Sequence, residues 1–219
     1  MTWTLPESLR PRASVVVRGT LEVSEELGDI PISLELRYAQ SRRAQVIDLG
    51  DDRAYAAIVD LGTAEDVLLV AKAEGAAFSA GVVVDRDDDA PALVNTDLTV
   101  RSVEERGAAF EIQDIHYATA SAVIDRTSLL MLDLFAEYLL ETGLTVEIGG
   151  HTDDIGNEAD NLSLSQRRAD AVLDHLISAG VDRDALEAKG YGESQPRADN
   201  ANEDGRARNR RTEFRILGN

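Results

Sequence analysis

Cysteine is absent from the 219-residue sequence, which excludes a disulfide framework, a thiol nucleophile and a cysteine-ligated zinc site. Aromatic residues are scarce, at 5% of the chain, and lysine occurs only as Lys72 and Lys189, so nearly every cation is a guanidinium. Hydrophobic residues nevertheless make up 43% of the chain. This share is typical of a protein that folds around apolar cores and not of a disordered one.

Long apolar runs are missing as well. No stretch approaches the roughly 18 apolar residues that a membrane-spanning helix needs. The first residues, MTWTLPESLRPRAS, lack the apolar centre of a secretory signal. If the protein is exported, we therefore expect its targeting segment, lipid anchor or barrel to lie outside this sequence. The alternative is a cytoplasmic protein.

Basic residues are outnumbered by acidic ones in both halves of the chain, and the formal net charge is −19. Such a field repels nucleic acid and anionic lipid, and it is also typical of proteins that work at high salt. The stretch GRARNRRTEFR (205–215) holds five arginines, which in isolation suggests nucleic acid. Acidic residues flank it, so we expect these arginines to pair with carboxylates instead.

The first half of the chain reads as strands. Its segments are short, rich in branched and aromatic residues, and separated by turn signals at roughly ten-residue spacing. The predicted strands are 14–23, 32–38, 44–49, 53–61, 66–73 and 78–85. No helical pattern interrupts them, which predicts an all-β sandwich of the transthyretin or immunoglobulin type over residues 13–104.

Strands alternate with helices in the second half, which predicts an α/β domain over residues 105–219. We expect a βαβαβ-type arrangement with helices packed on a small mixed sheet. Ser163 and Gln166 have capping-box spacing, so the second long helix is predicted to begin there and to end at Gly180. The other predicted elements are a strand at 110–117, a helix at 125–143, a strand at 144–150, a segment at 185–192, a short helix at 203–209 and a strand at 211–217.

The stretch GGHTDDIGNEADNLSLSQRRADAV (149–172) sets Asp153 in a turn and Arg168 inside the helix that follows. With the helix starting at Ser163, Arg168 lies about a turn and a half from its N-terminus. The two charges are expected to face each other across a gap, each without another partner. This pair would complement the ammonium and carboxylate of an amino acid, and arginine can bind a carboxylate through two parallel hydrogen bonds.

Simpler roles are open for the same residues. Asp153 could stabilise its own turn. Arg168 could be a surface residue that pairs with Asp170 or Glu158, and Asn161 could be a loop residue near the helix cap.

Catalytic and metal-binding patterns are not found. The spacing of His151, Asp153 and Asp154 matches no ligand motif, and we interpret His151 as structural. His116 and His175 have no acid and nucleophile nearby in the sequence. The chain shows no pair of carboxylates with a positioned water, no Ser-His pair and no glycine-rich phosphate loop. We therefore predict no enzyme activity, no cofactor and no metal.

Three motifs carry a family resemblance. GHTDDIGNEADNLSLSQRRADAVLDHLISAGV, EAKGYGESQP and GRARNRRTEFRI occur in this order, and together they resemble the C-terminal peptidoglycan-binding domain of the OmpA-like family over about residues 108–218. The first half resembles, less specifically, the carboxypeptidase-regulatory-like domains, through VVVRGTLEV and LGDDRAYAAIVDLG. Those transthyretin-like domains are mostly spacers and binding modules.

The OmpA-like resemblance implies non-covalent binding of meso-diaminopimelate in the peptidoglycan stem peptide. By position, Asp153 would hold the ammonium of the ligand and Arg168 its carboxylate. Gly149 and Gly150 would let the chain pass close to the site. The other residues that the resemblance places at the pocket are Asn161, Arg210, Thr152 and Thr119.

We therefore expect a periplasmic, outer-membrane-associated protein that tethers the outer membrane or an envelope complex to the cell wall. Its partner would be peptidoglycan, with a possible envelope protein bound by the β-sandwich. The alternative is an interaction module in which the β-sandwich binds a protein or glycan and the OmpA-like domain is a scaffold.

Overall fold

The computed structural model describes residues 14–60, 65–73, 77–84, 93–100, 109–111, 115, 117 and 121–218. Within these ranges the strands are β1 Ser14–Val23, β2 Ile32–Tyr38, β3 Ala44–Ile47, β4 Ala54–Asp60, β5 Val67–Ala73, β6 Ala77–Val84, β7 Leu93–Asn95, β8 Leu98–Val100, β9 Ala109–Glu111, β10 Thr145–His151, β11 Leu186–Gly192 and β12 Thr212–Gly218. The helices are α1 Arg126–Thr142, α2 Glu158–Ser178 and α3 Glu203–Asn209, with short 3-10 turns at Glu25–Leu27 and Arg183–Ala185.

The first half forms two sheets. In one, β1 pairs with β4 on one edge and, in parallel, with β7 and then β8 along the other edge. The second sheet is antiparallel with the order β3-β2-β5-β6. Alternate side chains of both sheets, such as Val17 and Leu36, join one buried apolar cluster. The strands β7 and β8 were not predicted, because three residues are too few to show an alternating pattern.

The second half forms a mixed sheet with the order β11-β10-β12-β9. β10 runs parallel to β11 and antiparallel to β12. Ile148 of β10 and Phe214 of β12 are fully buried in a cluster that also takes the apolar residues of α1 and α2. The predicted α/β domain with helices on a mixed sheet is confirmed.

The side chains of strand β5 contribute to the apolar clusters of both halves. Val67 and Leu69 point into the cluster of the first half. Leu68 and Val70 belong to the cluster built around α1 and the second-half sheet. Because successive side chains of a strand point to opposite faces, β5 is buried on both sides. The predicted boundary near residue 105 lies outside the described residues.

The ends of α1 follow the sequence closely. Asp125 caps the N-terminus by accepting a hydrogen bond from the Ser128 amide at 2.8 Å. Gly143 follows the last turn with φ 67°, a left-handed conformation that glycine adopts without a steric cost. The helix predicted at 125–143 is thus confirmed. Among the described residues, the helices are too short or too polar to cross a membrane.

The start of α2 differs from the prediction. The helix begins at Glu158, and Asn157 caps it by accepting from the Asp160 amide at 2.8 Å. The prediction that a capping box of Ser163 and Gln166 starts the helix was wrong, since both residues lie inside α2. An asparagine ahead of an acidic first turn is an equally good cap, and it starts the helix earlier. Arg168 therefore lies almost three turns from the N-terminus, given 3.6 residues per turn.

Candidate functional site

Two glycines let α2 lie directly on the strands that carry the site. A Cβ at Gly150 of β10 would overlap the Ser165 carbonyl, and one at Gly190 of β11 would overlap the backbone of Gln166. The contact is fixed by polar bonds: the Gly192 amide donates to Ser165 Oγ at 2.9 Å, and the Gly190 amide donates to Gln166 Oε1 at 2.8 Å. Arg168, on the next turn of α2, is thereby held close to the end of β10.

Arg168 is a buried cation whose direct contacts are neutral groups. Its side chain is largely buried, and Nε donates to the Ser121 carbonyl at 3.0 Å. The guanidinium carbon lies 4.6 Å from the ring centroid of Tyr117, whose hydroxyl is 2.7 Å from Thr212 Oγ1. Burial lowers the pKa of Arg168, because the charged form loses its hydration. In the described part of the chain, no carboxylate oxygen lies within 4.0 Å of this guanidinium, so it pairs with neither Asp170 nor Glu158.

Asp153 lies in the turn after β10 and has a partner of its own. One carboxylate oxygen accepts from the Ile155 amide at 3.2 Å, which stabilises the turn. The other accepts from Arg210 at 2.7 Å. The expectation that Asp153 has no other partner was therefore wrong. The physical reason is that Arg210 directly follows α3, and its guanidinium, 57 residues away in sequence, reaches the same place.

Arg210 links Asp153 to a second acid. Its other terminal nitrogen donates to Glu203 at 2.7 Å. Hydrogen bonds to Asp153 and Glu203 raise the pKa of Arg210. Arg210 thus lies beside Asp153 and is neutralised by two carboxylates, whereas Arg168 is not.

Asn161 and Thr152 hold the turn that carries Asp153. Asn161 lies in the first turn of α2, not in a loop, and its Nδ2 donates to the Asp153 carbonyl at 3.3 Å and to Glu193 at 2.6 Å. The Thr152 amide donates to the Gly192 carbonyl at 3.0 Å. Its buried hydroxyl has no hydrogen-bond partner among the described residues. Thr119 lies outside the described residues.

The structure brings Asp153, Arg168 and Arg210 to one place. Beyond burial and the Tyr117 ring, the pKa of Arg168 is raised by the charge of Asp153 and lowered by that of Arg210. Asp153 and Arg168 are therefore neighbours that do not form a direct ion pair among the described contacts. Chemically, this arrangement offers a cation that lacks a carboxylate beside a carboxylate whose geometry is already fixed.

His151 supports the site from within β10. It is 1% exposed, and its ring stacks on Tyr191 with centroids 5.0 Å apart and an interplanar angle of 9°. Burial lowers its pKa to about 4, so the ring is neutral near pH 7. No group of three or more acids and histidines in the described residues is arranged to hold a metal ion.

Three contributors to the site were not predicted: Tyr117, Ser121 and Glu193. Tyr117 could have been found from the sequence, because an aromatic residue near the end of a strand can form a cation–π contact with an arginine. The backbone carbonyl of Ser121 could not have been found from the sequence, because every residue has a backbone carbonyl. Glu193 acts through a contact with Asn161, 32 residues away, that local spacing does not show. The pairing of Arg210 with Glu203 agrees with the expectation that the arginines of 205–215 pair with flanking carboxylates.

Comparison of the sequence with known proteins identifies its family. The model of the OmpA family matches residues 116–210. The peptidoglycan-associated lipoprotein of Legionella pneumophila is 33% identical over 154 residues, which cover 68% of this chain and 86% of that protein. Outer membrane porin F of Pseudomonas fluorescens is 52% identical over 86 residues, which cover 39% of this chain and 26% of the porin.

A solved structure, the cell wall anchor of the T6SS from Pseudomonas aeruginosa, aligns with a TM-score of 0.45 and 32% identity over 51% of this chain and 80% of that one. The chain spans between 26% and 39% of the length of the porin F and outer membrane protein A relatives it matches. It spans most of the lipoprotein from Legionella. The chain belongs to the OmpA family, and its family domain occupies residues 116–210.

Proposed function

We propose that this protein binds peptidoglycan without covalent chemistry, through the meso-diaminopimelate of the stem peptide. In this role it tethers the outer membrane, or an envelope complex, to the cell wall from the periplasm. Membership of the OmpA family and the similarity to peptidoglycan-associated lipoproteins support the proposal. The geometry around Arg168 supplies the chemical reason.

The observation that carries the proposal is a buried guanidinium with no carboxylate beside it in the described residues. Arg168 is desolvated, which costs free energy, and its neighbours are a carbonyl and an aromatic ring. A ligand carboxylate would restore the lost interaction through two parallel hydrogen bonds. Each charge-assisted bond of this kind contributes on the order of 1.5–3 kcal/mol.

Asp153 can receive the ligand's ammonium although it is already paired. A carboxylate oxygen has two lone pairs, so each oxygen of Asp153 can accept a further hydrogen bond beside those from Ile155 and Arg210. The existing bonds hold the carboxylate in one orientation before the ligand arrives, which reduces the entropy lost on binding. Asn161 and the amide of Thr152 fix the turn itself.

Specificity follows from the partner that Arg168 lacks. A lysine-type stem peptide has no side-chain carboxylate at the position where diaminopimelate has one. Its binding would leave the guanidinium buried and without a counter-charge, which opposes association. Diaminopimelate-type muropeptides are therefore the ligand class that this site favours.

Isothermal titration of the full chain with the two muropeptide types tests the proposal. The diaminopimelate type should bind and the lysine type should not, and Arg168→Ala should abolish the heat of binding. Arg167→Ala is the matched control, since that arginine is exposed and bonded to Ser163 at 2.7 Å. Equal affinity for both muropeptides, or an equal loss in both variants, would contradict the proposal.

We further propose that residues 13–104 form a β-sandwich spacer of the transthyretin or carboxypeptidase-regulatory-like type. Two sheets around one apolar cluster support this. Deleting residues 105–219 is a poor test of whether these residues bind the wall, because it would expose Leu68 and Val70. Sacculus pull-down with intact Arg168→Ala protein is cleaner: retained binding would assign wall attachment to the first half.

A further inference from the structure

The interface between the first half and α1 is dense and partly polar. Leu68 and Val70 of β5 pack into the cluster that contains the buried face of α1. Around them, Arg37 of β2 pairs with Glu137 at 2.6 Å, and Lys72 of β5 approaches Glu141 at 3.9 Å. Side-chain contacts therefore fix the first half to α1, in addition to the covalent connection of the chain.

One ion pair in this interface has a fully buried acid. Asp66, just before β5, is 0% exposed and pairs with Arg126, the first residue of α1. Gln40 holds Asp66 from the first half: its amide nitrogen donates to the carboxylate at 2.9 Å, and its oxygen accepts from the Asp66 amide at 3.0 Å. The carboxylate thus has a fixed position, and Arg126 is anchored to it.

Arg126 also ends the segment that holds Arg168. Five residues before it, the Ser121 carbonyl accepts from Arg168 Nε. Ile124, two residues before it, forms an antiparallel bridge with Tyr117, whose ring lies under the same guanidinium. Asp125 then starts α1 as its cap. The two neutral contacts of Arg168 therefore both lie on backbone that is tied down at Arg126.

From this connectivity we infer that Asp66 is a positioning residue for the wall-binding site. By anchoring Arg126, it fixes the segment from Ser121 to Asp125, and this segment orients the Arg168 guanidinium toward its ligand. The first half of the chain thereby contributes to binding without touching the ligand. The inference rests on the proposed function for its binding readout only, because the orientation of Arg168 can be observed without any ligand.

The other polar pairs of the interface supply a matched comparison. Arg37–Glu137 joins the same two parts of the molecule, but Glu137 lies three turns along α1 from Arg126, and its side chain is 52% exposed. If interface strength alone mattered, losing either pair would affect the site in proportion to its effect on stability. If position matters, only the pair at Arg126 will affect Arg168.

The experiment compares Asp66→Asn, Arg126→Met and the control Glu137→Gln in the full chain. The ¹H–¹⁵N resonance of Arg168 Nε, assigned by its absence in Arg168→Lys, reports the bond to Ser121 directly. We expect faster exchange with water at Nε and roughly threefold to thirtyfold weaker binding of a diaminopimelate-type muropeptide in the first two variants. Glu137→Gln should leave both quantities as in the unsubstituted protein.

A folded Asp66→Asn or Arg126→Met protein with unchanged Nε exchange would overturn the inference. So would an equal change in Glu137→Gln. If neither Asp66→Asn nor Arg126→Met folds, the pair is needed for folding itself and the positioning role is wrong. Absence of muropeptide binding by the unsubstituted protein would refute the proposed function instead, while the Nε resonance would still decide whether Asp66 positions Arg168.

Discussion

At the scale of single residues, the two arginines of the site, Arg168 and Arg210, differ in how their charges are stabilised. Burial disfavours the charged form of Arg168, the charge of Asp153 offsets this only in part, and in the described residues no carboxylate pairs with the guanidinium directly. Arg210, by contrast, is stabilised by two acids. A charge that is unpaired in the free protein is the group whose free energy a ligand can lower most. This difference between two arginines is the reason that we propose Arg168, and not Arg210, as the residue that binds the ligand carboxylate.

Another single residue, His151, predicts a pH dependence. Its folded pKa is about 4, below its ordinary value of 6.5, because the ring is buried. Below pH 6.5, the His151 ring therefore takes up a proton in the unfolded chain, whereas in the folded protein the same ring stays neutral. The resulting stability is fully present above pH 6.5 and is lost as pH falls toward 4. Between pH 7 and pH 5, this histidine should cost about 1–2 kcal/mol of unfolding free energy.

Urea unfolding of the unsubstituted protein and His151→Phe at both pH values measures this effect. Phenylalanine keeps a ring that can stack on Tyr191 but cannot be protonated. His151→Phe should lose less unfolding free energy than the unsubstituted protein between pH 7 and pH 5. Because both proteins contain the same carboxylates, subtracting the two losses leaves the contribution of His151. Parallel losses in the two proteins would show that His151 is not held neutral.

At the scale of elements, the close contact between α2 and the strand ends sets the geometry of the site. Asp153 follows β10 and Arg168 lies on α2, so their separation depends on how closely these two elements approach. Gly150→Ala would push a methyl group into the Ser165 carbonyl, which is backbone and has little freedom to move. We expect a loss of about 1–3 kcal/mol in stability and weaker muropeptide binding.

Gly149→Ala is the control for that substitution. The three atoms nearest to a Cβ at Gly149 belong to side chains, the Tyr191 ring at 3.2 Å and His151 Nε2 at 3.3 Å, and none of them approaches as closely as the Ser165 carbonyl approaches a Cβ at Gly150. Thermal unfolding and titration of both variants check the expectation. A Gly150→Ala protein as stable and as tight-binding as Gly149→Ala would show that the distance between α2 and β10 does not control the site.

Local sequence signals predicted most elements, and long-range contacts account for what they missed. Asp125 and Gly143 fixed α1, because cap and stop signals act within one turn. The start of α2 was missed because Asn157 and Ser163 are both acceptable caps, and only the tertiary structure decides between them. The pairing of Asp153 with Arg210 joins distant segments, so no spacing rule reveals it. The role of β5 in two clusters is likewise invisible in a run of apolar residues.

At the scale of the whole molecule, the net charge of −19 opposes folding through repulsion among 41 acidic residues, of which at most 22 can be paired with arginine or lysine. Salt weakens this repulsion, which stabilises the folded protein. Salt also weakens exposed ion pairs such as Arg206–Glu203, which destabilises it. Exposed pairs contribute only about 0–1 kcal/mol each, so the excess of acids should dominate. Sodium chloride should therefore raise the thermal stability of this protein.

The rise should be measurable between about 0.05 M and about 0.5 M salt, because the screening length falls from about 14 Å to about 4 Å over that range. Thermal unfolding across this series measures it, and a gain of 1 kcal/mol corresponds to roughly 2–4 °C for a chain of this size. Muropeptide binding should weaken over the same range, since its proposed contacts are ionic, although burial of Arg168 limits the screening. A melting temperature that stays flat or falls with salt would show that paired charges outweigh the excess of acid.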